Sequence, residues 1–192
     1  RGPFKLQGEK AENIKPGLLI ESLKKEILNG FEKDRENLIS GRTERQMLVA
    51  YAMLRVRGSI PVYEVRGADP NDLTQIVQGH SGNCSDFTIR LMMVLESLGI
   101  KASTISSVTP NLGGHVFVDA YDPQEDTSYL LDSNFSVMII MPNSKGDSFI
   151  QNLITMSDEN RAKFAKTANL TAFPVYFRFV DPGVTGFKRT PL

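Results

Sequence analysis

Apolar residues recur at helical spacing through the first half of the chain and then give way to alternation. Ile20, Leu23, Ile27 and Phe31 predict a helix over about Leu18–Phe31, after an irregular arm over residues 1–16 that carries Pro3, Gly8 and Pro16. A second amphipathic region runs from Asp34 to Val56. Gly41 breaks it, and Thr43 with Gln46 has capping-box spacing, so a new helix starts there and ends at Gly58. Residues 59–70, with Pro61, Gly67 and Pro70, form a connection, and Asp72–Val77 a short helix. Next, Phe87, Leu91, Val94, Leu95 and Leu98 make a wide apolar stripe. Asn83 is a good N-cap with Asp86 three residues on, and Gly99 followed by Ile100 supplies the stop. Cys84 is thereby expected in the first turn of a buried helix.

Beyond Gly99 the pattern is that of strands: Lys101–Val108, His115–Tyr121, Tyr129–Ser133, Val137–Met141 and Ala172–Val180, with one helix from Ser157 or Asp158 to about Ala168. Helices first and sequential strands afterwards predict an α+β fold. An antiparallel β-sheet packs against an N-terminal helical part and a central helix carrying the cysteine at its N-terminus. The expected organisation is a single domain over 1–192, with a mainly helical part over 1–70 and the core over 71–192.

The alternation puts His115, Phe117, Asp119 and Tyr121 on one face of their strand. Asp122-Pro123-Gln124-Glu125-Asp126 reads as a turn. A hairpin centred between Pro123 and Gln124 sets His115 directly opposite Asp132, within reach of its carboxylate. One imidazole nitrogen is then free for Cys84. A thiol at a helix N-terminus ionises more easily, because unpaired N–H groups favour an anion, and an imidazolium partner adds to this. The roles that follow are Cys84 as nucleophile, His115 as general base and later acid, and Asp132 as the orienting carboxylate. The Cys84 N–H and the Gln78 side chain are the expected oxyanion donors. Gly113-Gly114 lets substrate approach His115; His80 is expected to line the cleft or face solvent, and Asp119 and Tyr121, on the His115 face, to line the cleft or serve as polar sheet positions.

Composition narrows the classes. Twenty-two basic and 22 acidic residues cancel, which gives no footprint for nucleic acid or an anionic membrane. One cysteine excludes an internal disulfide and a multi-cysteine zinc site. No apolar run is long enough to span a bilayer. The start at Arg1-Gly2-Pro3 reads as a mature form or an excised domain, so the compartment stays open between cytoplasm and bacterial envelope.

The same residues resemble the transglutaminase-like superfamily. Gly82-Asn83-Cys84 opening a helix that ends in Leu98-Gly99-Ile100 is similar to its cysteine motif. Gly114-His115-Val116-Phe117-Val118-Asp119 is similar to its histidine motif, and Tyr129-Leu130-Leu131-Asp132-Ser133-Asn134 to its aspartate motif. The resemblance covers roughly residues 75–135. It implies a papain-like thiol fold and a bacterial-type member that attacks an amide or ester carbonyl through a thioester. The substrate is a peptide, protein or glycoconjugate, and no cofactor is required. Tryptophans that often flank the family's histidine and aspartate motifs are missing, with Phe117 and Tyr129 as the expected substitutes. Hydrolysis is the expected outcome, since no amine-acceptor site is visible. Two rival classes stand beside it: an inactive member that binds a peptide or glycan strand, and a zinc hydrolase in which His80 joins Cys84, His115 and Asp132 as ligands. The N-terminal helices are a candidate surface for a protein partner.

Overall fold

A computed structural model describes residues 16–35, 41–64, 79, 81–109, 113–167 and 188–190 of the chain. The expected helix over 72–77, the strand over 172–180, and all of the expected arm except Pro16 lie outside the described residues, as do Gln78 and His80. Pro16 belongs to the first helix, α1 (Pro16–Asp34), where its missing N–H matters least. Helix α2 (Glu44–Ser59) opens with the reciprocal Thr43/Gln46 box and runs through Gly58 to Ser59. Two-residue strands β1 (Val62–Tyr63) and β2 (Ser81–Gly82) pair in parallel. Helix α3 (Cys84–Ser97) then leads into β3 (Lys101–Thr109), β4 (Gly113–Asp122), β5 (Thr127–Asp132) and β6 (Val137–Pro142). Helices α4 (Phe149–Thr155) and α5 (Asp158–Thr167) and strand β7 (Lys188–Thr190) follow.

The fold is α+β. Strands β3 to β7 form one antiparallel sheet in the order β6-β5-β4-β3-β7. One face carries Val118, Ala120, Tyr129 and Leu131. They pack against Leu91 and Leu95 of α3, which in turn meet Leu23 and Ile27 of α1 and Val49 and Val56 of α2. The other face carries Ile105, Phe117, Leu130, Ile139 and Met141 beneath Phe149, Ile150 and Leu153 of α4. The α4 turn had no expected element. Its apolar set spans too few residues to show a period, although Ser148 caps it through Gln151 N–H.

The exit from α3 is a complete Schellman arrangement. Gly99 N–H bonds to Glu96 C=O, Ile100 N–H bonds to Leu95 C=O, and Gly99 sits at φ 78°. Ile100 is fully buried in the helix-side core. Arg45, near the start of α2, forks onto the buried Asp122 carboxylate at 2.5 and 3.2 Å and onto Leu98 C=O at 3.0 Å. That contact locks the end of α3 to the β4–β5 turn.

Candidate active site

Asn83 and Asp86 hold the start of α3. Asn83 Oδ1 accepts the Ser85 N–H at 2.9 Å, and Asp86 Oδ2 accepts the Asn83 N–H at 2.7 Å. Asp86 is buried against Gly82, so closely that a Cβ on Gly82 would come within 2.7 Å of Asp86 Cβ. The cap thus fixes Cys84 at the first helical position, with its thiol half-buried.

The β4–β5 register differs from the expected one. Val118 pairs with Leu131 and Asp122 with Thr127, so the turn is centred between Gln124 and Glu125. Asp122 Oδ1 caps the Gln124 N–H, and Asp126 takes a left-handed conformation at φ 47°, which lengthens the loop to residues 123–126. The slip is two residues, an even number, so face parity survives. His115 lies diagonal to Asp132 rather than opposite it, and its Nε2 still meets Asp132 Oδ2 at 2.7 Å. The second carboxylate oxygen accepts the backbone N–H groups of Asn134 and Phe135 at 2.9 and 3.2 Å, which aims the carboxylate.

The thiol reaches His115 because β5 stops. On the N-terminal side of Val118, β4 keeps its β3 partner but has none in β5, and the start of α3 meets it there. Thr88 Oγ1 donates to Val116 C=O at 3.0 Å, and the Val116 N–H donates to the Cys84 sulfur. Nε2 belongs to Asp132, so Nδ1 is the nitrogen that serves the Cys84 hydrogen bond.

Electrostatics follow from these contacts. The hydrogen bond from His115 lowers the Cys84 pKa below its ordinary value. Partial burial opposes that, and the Val116 and Ser85 N–H groups add to it. For His115, burial is the largest influence and disfavours the charged ring. The Asp132 hydrogen bond, the Cys84 hydrogen bond and both charges outweigh it and raise the imidazole to about 9. With the thiol lowered and the imidazole raised, the contacts favour the thiolate–imidazolium form, and the two groups titrate as a pair.

Three surrounding residues were not foreseen in the sequence. Arg90, buried on α3, bonds through Nη1 to Ser59 Oγ at 2.6 Å and through Nη2 to Gly79 C=O at 2.9 Å. Burial lowers it to about 10, with the Asp86 charge opposing, so it stays cationic while it ties the end of α2 and the pre-cysteine loop to α3. Tyr63 of β1, 52% exposed, pairs with Gly82, and its phenol exchanges hydrogen bonds with the thiol and backbone N–H of Cys84. Phe135, 65% exposed, covers the His115 ring at a centroid distance of 5.4 Å. Its position three residues past Asp132 was the signal available; Tyr63 had none, since its placement depends on a non-local two-residue pairing.

The remaining expected residues are distributed differently. Phe117 lies against His115, at 6.1 Å between ring centroids, but Tyr129 is buried in the helix-side core and lines no cleft. Asp119, expected in the cleft, is buried further along β4 beneath α4 and accepts the Ile150 N–H at 3.4 Å. With Lys101, Ser103, Tyr121 and Ser148 it lines a separate cavity of about 350 Å³. Gly114 pairs regularly with Val108. Among the described residues no group of three His, Cys, Asp or Glu is arranged to hold a metal ion. The chain matches no family model, no curated protein and no solved structure.

Proposed function

We propose that this chain is a cysteine-dependent hydrolase or acyltransferase of the transglutaminase-like kind, acting on an amide or ester bond. The observation that carries the reading is the imidazole of His115, held by Asp132 at 2.7 Å on one nitrogen and hydrogen-bonded to Cys84 through the other. Such a bridge on a thiol at a helix start is the arrangement of an activated nucleophile.

In the proposed reaction the Cys84 thiolate attacks the carbonyl carbon, and the C=O π pair moves onto oxygen. The tetrahedral adduct collapses to a thioester as the leaving amine or alcohol takes the proton from His115. Neutral His115 then removes a proton from water, or from an amine, as it attacks the thioester. The thiolate departs, and the imidazolium–thiolate pair is restored. Asp132 keeps the ring oriented and stabilises its charge throughout.

The test is the pH dependence of Cys84 alkylation by iodoacetamide in the wild type and in His115→Ala. Fast labelling well below the free-thiol pKa of about 8.5, lost in the variant, is the expected result. Labelling that follows an ordinary thiol and ignores the variant would remove the basis for the reading and favour a binding role for the cleft.

A further inference from the structure

The Cys84 backbone N–H supplies one donor for a carbonyl oxygen at the thiol, and a tetrahedral adduct is held best by two. Strand β1 brings a second group there. It runs parallel to β2 with Tyr63 beside Gly82, two residues before the thiol, and the Glu64 N–H bonds to Gly82 C=O at 2.9 Å to fix that register. Through this pairing the phenol oxygen accepts the Cys84 N–H while its O–H donates to the sulfur. An oxygen that contacts both groups occupies the place a carbonyl oxygen takes when its carbon bonds to that sulfur. The ring is half exposed, so it can turn aside for a substrate without disturbing a core. The Arg90 bridge ties Ser59, three residues before β1, and Gly79, two residues before β2, to α3.

We propose that Tyr63 is a catalytic residue, the side-chain member of the oxyanion hole. Its phenolic O–H, released from the sulfur when the C–S bond forms, donates to the oxygen that has received the carbonyl π pair, beside the Cys84 N–H. The O–H bond stays intact, and the hydrogen bond passes back to the sulfur when the oxyanion collapses and the leaving group departs. This inference rests on the thiol-enzyme reading above and assigns to Tyr63 the role the sequence suggested for Gln78.

Tyr63→Phe keeps the ring and removes only the hydroxyl. Two probes separate the oxyanion from the thiolate. Iodoacetamide alkylates sulfur without forming an oxyanion. p-Nitrophenyl acetate acylates it through one, and is followed by the burst of p-nitrophenolate above a Cys84→Ala background. The expected result is acylation slowed by about 10²-fold in Tyr63→Phe. Alkylation on its high-pH plateau stays within about a factor of two, since the thiolate itself is retained. Acylation of Tyr63→Phe at the wild-type rate overturns the inference, and so does a comparable loss in Gln78→Ala that Tyr63→Phe lacks. A wild type that alkylates fast at low pH but shows no burst also overturns it while leaving the Cys84–His115 pair in place. A wild type inert to both probes removes the thiol-enzyme reading and this inference together.

Discussion

Asp132→Asn probes the pair most directly, because it exchanges one carboxylate oxygen for an NH₂ group and leaves the side chain the same size. Oδ1 accepts two backbone N–H groups, and an asparagine that keeps them presents its NH₂ to His115. That NH₂ must donate to Nε2, which confines the ring's own proton to Nδ1, the nitrogen that faces the thiol. A neutral ring so arranged cannot take the proton of Cys84. The rise of His115 from 6.5 to about 9 corresponds to about 3.4 kcal/mol. It survives a burial effect of opposite sign, and Asp132 stands ahead of Cys84 among the influences that favour the charged ring. Assigning Asp132 somewhat more than half gives about 2 kcal/mol, a fall of roughly 30-fold in thiolate at pH 6. The assay is pseudo-first-order alkylation by iodoacetamide from pH 5 to 10, with the melting temperature as a control for folding. The wild-type inflection should lie well below that of a free thiol, and the variant's should move up towards it. Its high-pH plateau should match or slightly exceed the wild type, because a more basic thiolate is the better nucleophile. Acyl transfer, which also needs the ring's orientation, should fall further, by about 10³–10⁴-fold. Superimposable alkylation profiles from two equally stable proteins would refute the account of Asp132.

Gly82→Ala should force Asp86 off the Asn83 N–H, since the added Cβ meets Asp86 Cβ at 2.7 Å and Oδ2 at 2.8 Å; a loss of about 1–2 kcal/mol in urea unfolding is expected, with slower alkylation at pH 7, and an unchanged midpoint would contradict the packing. Arg90→Met leaves Gly79 C=O and the Ser59 groups without their buried cation, which should cost about 3–5 kcal/mol in the same measurement; a cost near zero would show that the bridge is dispensable. In a Cys84→Ala background His115 keeps its Asp132 hydrogen bond and loses that to the thiol, so a raised pKa there contributes stability that is fully present below pH 6.5 and lost as pH rises towards the folded value. Cys84→Ala should therefore lose about 1–2 kcal/mol between pH 6 and pH 9.5 relative to Cys84→Ala/His115→Gln, and parallel pH profiles would count against the ion pair.

What the sequence disclosed was local. Asn83 and Asp86, Thr43 and Gln46, and Gly99-Ile100 encode caps within four residues of one another, and all three recur as hydrogen bonds. The His115–Asp132 contact was legible for a subtler reason: alternation fixes the face, and a two-residue error in register leaves the face unchanged. Tyr63, Arg90 and the β1–β2 pair were not legible, because each joins segments about 20 to 30 residues apart through one or two contacts that no periodicity announces. The same limit misled at Asp119. Sharing a strand face with His115 says nothing about what packs over that face, and α4 covers it four residues further along.

The early end of β5 has a consequence for solubility. A strand that outlasts its neighbour exposes a row of backbone donors and acceptors, which invites pairing with another molecule. Here the start of α3 takes up the Val116 groups of that row, with Thr88 on the carbonyl and the Cys84 sulfur on the N–H. The helix that carries Cys84 is therefore also a guard on an open sheet margin. Substitutions that loosen it will be felt as self-association at high concentration, and selection acting on aggregation alone would constrain Thr88 and the cap residues even where no chemistry is performed.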